Sequence, residues 1–169
     1  MGKIGTLVVD AGNSPAHADL LLGALAKVTR VLPKFLVLTH SHWDHVFGTA
    51  AFDVPIIASA ETRRLVAEMA DLDWSDTALD QRVAAGTEIE FCRDMIKAEW
   101  PDRSNLQLRI PDITFTNQLD LYLGGVTCRV IHTGGDHAPD SSVVYVPEDR
   151  VVFLGDCLYE DLHHGPRNY

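Results

Sequence analysis

The chain has 169 residues, 46% of them apolar and 22% charged, which is the balance of a single soluble globular domain with a substantial core. A formal net charge of −10 argues against a nucleic-acid partner, because binding to phosphates needs clustered lysine and arginine. No apolar stretch is long enough to span a bilayer and no secretory signal follows Met1, so we expect a cytoplasmic protein without a membrane partner. The three cysteines have no paired spacing, which favours reduced thiols over a disulfide framework.

The first part of the chain predicts strands that alternate with helices. The apolar runs GTLVVDAG, PKFLVLTH and VPIIAS are typical of buried strands. Ser14 and Ser59 stand where they can cap the helices that follow the first and third of these runs, and Pro15 favours a helix start. The resulting β-α-β-α-β order favours an α/β fold in which helices cover the strands.

The second part has a different composition. Residues 71–111 are polar, helical in pattern and interrupted at Gly86, which predicts a helical insertion within a single domain that spans residues 1–169. The runs ITFTNQLDLYLGGVTCRVIHTGG and SSVVYVPEDRVVFLGDC then predict two hairpins, with turns at Gly124 and Gly125 and at residues 147–149. We therefore expect this part to be rich in strands and largely antiparallel.

Residues 40–45 read HSHWDH, at the end of the second apolar run. A lone histidine is usually a surface or hydrogen-bonded residue, but here His40 and His42 point to one side of an extended segment, and Asp44 and His45 follow as the chain turns. Such a cluster is poorly satisfied when neutral and repels itself when protonated, and a divalent metal removes both problems. Imidazole together with carboxylate suits zinc best, with iron and manganese behind it.

Further candidate ligands stand just past later strands. His132 and His137 lie in HTGGDHAPDSS, and Asp156 and Cys157 end the run VVFLGDC. Because strand ends can converge at one edge of a sheet, these side chains can complete the coordination sphere. A catalytic zinc commonly takes three protein ligands and a water molecule.

These segments resemble the metallo-β-lactamase superfamily. HSHWDH fits its H-x-H-x-D-H signature, VVDAG resembles its early strand-to-aspartate turn, and HTGGDHAPDSSVVYVPEDRVVFLGD resembles its second metal loop and the hairpin after it. The resemblance covers about residues 5–160 and implies an αβ/βα sandwich with one or two zinc ions at the sheet edge. It also implies the ligands: the first metal is held by His40, His42 and His137, the second by Asp44 and His45, and Asp156 bridges the two.

Two local departures from that family's pattern affect the ligand set. The segment before His137 is one residue longer than the common H-T-P-G-H motif, which makes His132 a structural or supporting histidine rather than a ligand. GDCLYE resembles a stretch in which the zinc β-lactamases use a cysteine, so Cys157 competes with Asp156 as the ligand. We favour Asp156, because the adjacent Cys157 points to the opposite face of the strand.

The chain is also shorter than that family at both ends, so we expect the sandwich to be incomplete at its N- and C-terminal edges. The last ligand of the second metal is missing from the matched segments, and His163 and His164 are the late candidates for it. A complete first site with a weakened second site is the favoured state. Unfinished sheet edges also favour a homo-oligomer in which a partner chain supplies strands.

The expected function is that of a zinc-dependent hydrolase, in which a metal-bound hydroxide attacks an ester, thioester, lactone or amide of a small molecule. Asp44 is the expected catalytic residue, which orients the hydroxide and passes a proton to the leaving group. The segment around Trp74 and Trp100 is expected either to shape the mouth of the site or to cap the edge of the core. A true β-lactamase ranks lower, because Glu160 stands where those enzymes commonly carry a lysine. The alternative is a non-catalytic, metal-stabilised or truncated fragment of such a hydrolase, in which the metal contributes only folding energy.

Overall fold

The structure is a computed structural model that describes residues 1–158. Its elements, in chain order, are β1 (Thr6–Val9), α1 (Pro15–Val28), β2 (Pro33–Val37), α2 (Trp43–Val46), a 3-10 helix (Phe47–Ala51), β3 (Ile56–Ser59), α3 (Ala60–Ala70), α4 (Asp76–Ala84), α5 (Glu90–Glu99), β4 (Ile113–Phe115), β5 (Gln118–Tyr122), β6 (Thr127–His132), β7 (Ser142–Val146) and β8 (Val151–Phe153). Helices therefore separate the first four strands, and the last four strands follow one another directly. Within the described part of the chain, no helix is both long and apolar enough to cross a membrane.

The strands form two four-stranded sheets. The first has the order β1-β2-β3-β4 and is parallel throughout. The second has the order β5-β6-β7-β8 and is antiparallel throughout. One of its hairpins turns at Gly124 and Gly125, whose positive φ angles of 77° and 88° suit glycine. The predicted mixed α/β class and both predicted hairpins are confirmed.

The parallel sheet has a hydrophobic core on each of its faces. Leu36 and Val37 are neighbours in β2 and both are completely buried, on opposite faces because strand side chains alternate. Leu36 packs in a cluster to which each of the four longer helices contributes a buried residue: Ala18, Val66, Leu79 and Ile96. Val37 packs between the two sheets, against Val130 and Val144 of the antiparallel sheet. The layers therefore run helices, parallel sheet, antiparallel sheet.

Serine caps begin two helices at the predicted positions. Ser14 Oγ accepts a hydrogen bond from the His17 N–H at 3.1 Å, and Pro15 is the first helical residue. Ser59 Oγ accepts from the Thr62 N–H at 2.9 Å, so α3 begins at once where β3 ends. Each such cap contributes about 1 kcal/mol to stability.

Residues 71–111 contain α4 and α5. Trp74 packs edge-on against Phe47, with ring centroids 4.8 Å apart, and the Trp100 ring lies 6.5 Å from the same phenyl ring. The Arg103 guanidinium donates to the carbonyl oxygens of Trp74 and Trp100 and ties the two ends of the segment together. Both tryptophans therefore cap the edge of the helix-side core, which is one of the two roles expected for them.

Gly48 lies where the 3-10 helix passes the segment that follows β1. A Cβ atom at this position would come within 2.1 Å of the Ala11 carbonyl oxygen, and the Gly48 N–H donates to the Gly12 carbonyl oxygen at 3.0 Å. We expect Gly48→Ala to lower the free energy of unfolding by about 2–3 kcal/mol, because the two backbone segments must separate. Urea unfolding followed by circular dichroism measures this change.

Gly23→Ala is the matched control. Gly23 lies inside α1, and a Cβ atom there meets nothing within 4 Å. This substitution is expected to raise the free energy of unfolding by about 0.5–1 kcal/mol, since alanine favours a helix over glycine. Equal effects of the two substitutions would contradict the close approach at Gly48.

Candidate metal centre

The predicted ligands lie at the edge of the sandwich where β2, β6 and β8 end. They are His40 and His42 after β2, Asp44 and His45 in α2, His137 after β6, and Asp156 after β8. The two sheets meet at this edge, where the Ser142 N–H donates to the Thr39 carbonyl oxygen at 2.8 Å. Gly155 has a φ of 54°, and a Cβ atom there would come within 2.7 Å of Thr39 Oγ1. A glycine is therefore required for the loop that carries Asp156 to approach β2.

Three imidazoles form the first compact group of donors. The Nε2 atoms of His40 and His137 are 3.2 Å apart, and the His42 ring centroid lies 4.6 Å from each of the other two. One donor nitrogen from each of these histidines lies within 4.8 Å of the others. The sequence predicted these same residues as the ligands of one metal, and the structure brings them together.

Asp156 faces two histidines at once. Its Oδ1 lies 3.4 Å from His45 Nε2, and its Oδ2 lies 3.5 Å from His137 Nε2. The second compact group among residues 1–158 consists of His40, His45 and Asp156, again with all donor atoms within 4.8 Å of one another. Asp156 therefore belongs to the second group and also faces His137 of the first group, and its role as a bridging ligand stays a prediction.

Asp44 lies at the rim of the site. Its Oδ2 is 3.6 Å from His45 Nε2, and the side chain is 45% exposed. Neither compact group contains Asp44, and the second group takes His40 in its place. The carboxylate is therefore near the centre and open to solvent, and its assignment as a ligand stays a prediction.

The other candidate ligands named from the sequence are His132, Cys157, His163 and His164. His132 Nε2 lies 3.2 Å from the Pro139 carbonyl oxygen, which suits the structural reading of this histidine. Cys157 Sγ lies 3.7 Å from Thr133 Oγ1 and belongs to neither compact group. The residues expected as late candidates, His163 and His164, lie outside the described residues.

The spacing of the donors fits a divalent metal. Four ligands that surround zinc tetrahedrally at its usual bond lengths are about 3.3–3.4 Å from one another. The measured separations are 3.2 Å between His40 Nε2 and His137 Nε2, and 3.4–3.5 Å from the Asp156 oxygens to the nearest imidazole nitrogens. Imidazole nitrogens and a carboxylate are also the donors that zinc prefers among oxygen and nitrogen ligands.

Asp10 orients the ligands from behind, a role that the sequence did not assign. Its Oδ1 accepts a hydrogen bond from the Thr39 N–H at 2.7 Å, and its Oδ2 accepts from Thr39 Oγ1 at 2.8 Å. The same Oδ2 lies 2.8 Å from His45 Nδ1. Asp10 has a φ of 61°, which is uncommon for a residue other than glycine. The turn VVDAG contains it, but only the pairing of β1 with β2 shows which side chains it reaches.

This network decides which nitrogen of His40 faces the site. Thr39 Oγ1 gives its proton to Asp10, so it can only accept at its 3.0 Å contact with His40 Nδ1. The proton of a neutral His40 is therefore on Nδ1, and the lone pair on Nε2 points toward His137. The carboxylate of Asp10 holds His45 in the same way, with Nδ1 as the donor and Nε2 toward Asp156.

The pKa values of the histidines in the cluster are shifted in different directions. Burial, followed by the repulsion of His45 and His42, lowers the pKa of His40 to about 2. Burial, followed by His137, also lowers the pKa of His42. Burial opposes the charge on His45 as well, but hydrogen bonds to Asp10 and Asp156 outweigh it and raise the pKa of His45 to about 10. His40 and His42 are therefore offered in the neutral form that coordinates metals.

The sequence and the fold both match known proteins. Residues 2–164 match the sequence profile of the metallo-beta-lactamase superfamily. The chain is 27% identical over 173 residues to the linear primary-alkylsulfatase of Pseudomonas sp. (strain ATCC 19151), a match that covers 90% of this chain and 31% of that protein. It is 35% identical over 54 residues to the metallo-beta-lactamase type 2 of Bacteroides fragilis, which covers 32% of this chain and 21% of that protein.

Solved structures have the same fold. The metallo-beta-lactamase from Pontibacter korlensis superposes with a TM-score of 0.64 at 24% identity, and the match covers 91% of this chain and 56% of that one. The chain thus spans about a third of the alkylsulfatase and about half of the Pontibacter korlensis protein. The αβ/βα sandwich expected from the sequence is confirmed for the part of the fold that this chain covers.

Asp10→Asn tests the orienting network. Asparagine tolerates a positive φ, and its side-chain oxygen can still accept from the Thr39 N–H, but its amide group cannot accept from Thr39 Oγ1 or from His45 Nδ1. We expect the affinity for Co²⁺, followed by its visible absorption, to fall about 10–100-fold, the usual cost of losing a partner of a metal-binding histidine. Asp19→Asn, in the exposed face of α1, is the control and should leave the affinity unchanged. An unchanged affinity in Asp10→Asn would contradict the orienting role.

Proposed function

Because this chain belongs to the metallo-β-lactamase superfamily and gathers imidazoles and a carboxylate at one sheet edge, we propose that it is a zinc-dependent hydrolase. Its proposed substrates are small molecules with an ester, thioester, lactone or amide bond. The observation that carries the proposal is the convergence of His40, His42 and His137 with Asp156. The separations of 3.2 Å between His40 and His137 and of 3.5 Å between His137 and Asp156 fit a zinc coordination sphere.

In the proposed centre each ligand has a defined place. His40, His42 and His137 would hold the first zinc ion, and His45 would hold the second, with Asp44 beside it. Asp156 stands between the two positions, with one oxygen toward each side.

The charge of the site supports a second ion. Four carboxylates act on its histidines, namely those of Asp10, Asp44, Asp140 and Asp156. When the imidazoles are neutral, as metal coordination requires, these groups carry four negative charges in a partly buried region, and such an excess needs cations to balance it. Two divalent ions would supply four positive charges.

The residues of the site support hydrolysis in defined roles. When bound, zinc polarises the scissile carbonyl or sulfonyl oxygen and lowers the pKa of a coordinated water molecule. Asp44 is exposed enough to meet a substrate and close enough to His45 Nε2 to reach the reacting atoms. We assign it the proton transfer from the attacking water to the leaving group. Asp10 keeps His40 and His45 in the orientation that this chemistry needs.

The first experiment measures metal content and activity together. Protein purified without chelator or added metal is expected to hold about one to two zinc ions per chain, measured by plasma mass spectrometry. The substrate panel contains a simple ester, a thioester, a lactone and an amide, and also a primary alkyl sulfate because of the alkylsulfatase relative. A chain that holds no metal and takes up none on reconstitution would contradict the proposal.

His42→Ala separates a catalytic from a purely structural metal. His42 is a half-buried donor of the first group, so its loss should remove zinc and lower the hydrolysis rate by about 100–1,000-fold, the loss of several kcal/mol of Lewis-acid stabilisation. The fold should persist, as judged by circular dichroism and urea unfolding of the metal-free proteins. The control is His17→Ala, since His17 is exposed and contacts Asn13. A wild-type protein that binds zinc, turns over nothing in the panel and unfolds when zinc is removed would favour the non-catalytic reading.

A paired substitution tests which residue of the GDC segment is the ligand. Asp156→Asn keeps the shape of the side chain but removes the charge that faces His45 and His137, so the zinc content should fall. Cys157→Ser should leave the zinc content unchanged, because Cys157 belongs to neither compact group. The reverse result would make Cys157 the ligand.

A further inference from the structure

The outward face of α1 carries large apolar side chains in contact with water. Leu20 and Val28 are 74% and 71% exposed, and Leu21 is 39% exposed. Ala24 is also exposed and lies one helical turn from both Leu20 and Val28, on the same face of the helix. These four residues form a continuous surface along α1, which we call the α1 patch.

The opposite face of α1 already serves the fold. Ala18 is buried in the helix-side core, and Leu22 and Leu25 pack against the same core. The helix as a whole packs mainly on the 3-10 helix. A helix that is apolar on both sides is normally covered on both sides. The α1 patch is therefore apolar surface that the packing of a single chain does not use.

The solvent faces of the other long helices are charged. On α3, Arg64 forms ion pairs with Glu61 and Glu68, and all three side chains are exposed. Asp80 of α4 pairs with Lys97 of α5. Surface helices typically present such polar faces to water, whereas a contiguous exposed apolar patch marks a site of association. The α1 patch therefore has the character of an interface.

Two charged residues stand beside the patch. Asp19 directly precedes Leu20 at one end, and Lys27 directly precedes Val28 at the other end. Each charge is rotated by about 100° from its apolar neighbour, to the same side of the helix. Both residues are exposed, and neither forms an ion pair within residues 1–158. The patch therefore has one unpaired charge of each sign, at opposite ends of one flank.

This arrangement is complementary to a second copy of itself. When two α1 helices pack antiparallel around Ala24, Leu20 of each helix lies opposite Val28 of the other. The same flanks of the two helices then face each other, so that Asp19 of each helix meets Lys27 of the other. The small side chain of Ala24 at the centre lets the two helices approach, and the antiparallel direction also suits their dipoles.

We propose that the α1 patch is the interface of a homodimer, in which two α1 helices pack antiparallel about a two-fold axis. A two-fold interface uses the same surface on both copies, so its charges must be complementary to themselves. Asp19 and Lys27 meet that requirement. The patch contains none of the proposed metal ligands, so the dimer forms with or without a metal.

Sedimentation equilibrium of the wild-type chain tests the dimer. Over about 1–300 μM protein we expect a Kd on the order of 10 μM, because one helix from each copy makes a small interface. Leu20→Lys should weaken the dimer at least about 10-fold, since it places a charge inside an apolar contact. Circular dichroism should be unchanged, because this side chain is exposed in the single chain. A wild-type chain that stays monomeric over the whole range would overturn the proposal.

Charge reversal tests the antiparallel arrangement. Asp19→Lys and Lys27→Asp should each weaken the dimer about 3–10-fold at low salt, because like charges then face each other at two places. The double variant exchanges the two charges and should recover most of the affinity. Losses that simply add in the double variant would show that the two residues do not meet, and would overturn the proposed packing.

The edges of the antiparallel sheet, from which the sequence predicted an oligomer, are the competing interface. Tyr122 lies on β5 and Val152 on β8, the two edge strands of that sheet, and both side chains are exposed. Tyr122→Lys and Val152→Lys are therefore the matched controls and should leave the Kd unchanged. A dimer that is lost in either control and kept in Leu20→Lys would assign the interface to a sheet edge and overturn the role of α1.

Discussion

The hydrogen bonds of the Asp10 carboxylate connect the fold to the site. They reach the backbone and the hydroxyl of Thr39, and the ring of His45. The same Thr39 joins the two sheets through Ser142 and contacts the loop that carries Asp156. A single side chain at the end of β1 therefore fixes the end of β2, two imidazoles and the meeting of the sheets. Without these contacts, the ligands would lie on three separate loops whose positions relative to one another are not fixed.

Hydrogen bonds orient two of the proposed ligands, His40 and His45. Buried imidazoles without fixed partners could rotate, and both nitrogens would then compete for the metal. Here the proton of His40 is placed on the side of Thr39, and His45 is held between two carboxylates. Ligands that are held in a fixed orientation lose little conformational entropy on coordination. The low pKa of His40 and the high pKa of His45 result from the same arrangement of side chains.

The sequence predicted the structural features that depend on local residue patterns. The apolar run of β2 and the position of HSHWDH at its end predicted both a buried strand and a cluster of ligands. The role of Asp10 depends on contacts between segments that are distant in the chain, so no local pattern revealed it. Asp140 also runs against the rule that charged residues stay at the surface, and only its burial shows that it is unusual. The sequence left both roles of Trp74 open, because its partner Phe47 lies in another element.

Three carboxylates approach the histidine cluster from different directions. Asp10 lies behind His45, Asp156 stands between His45 and His137, and Asp44 lies at the rim beside His45. Carboxylates that lie this close together repel one another, and a bound cation would offset that repulsion. The stability of this fold and the affinity of its proposed metal centre are therefore coupled. Removing one of these carboxylates would lower the repulsion within the site and would also weaken the proposed metal centre.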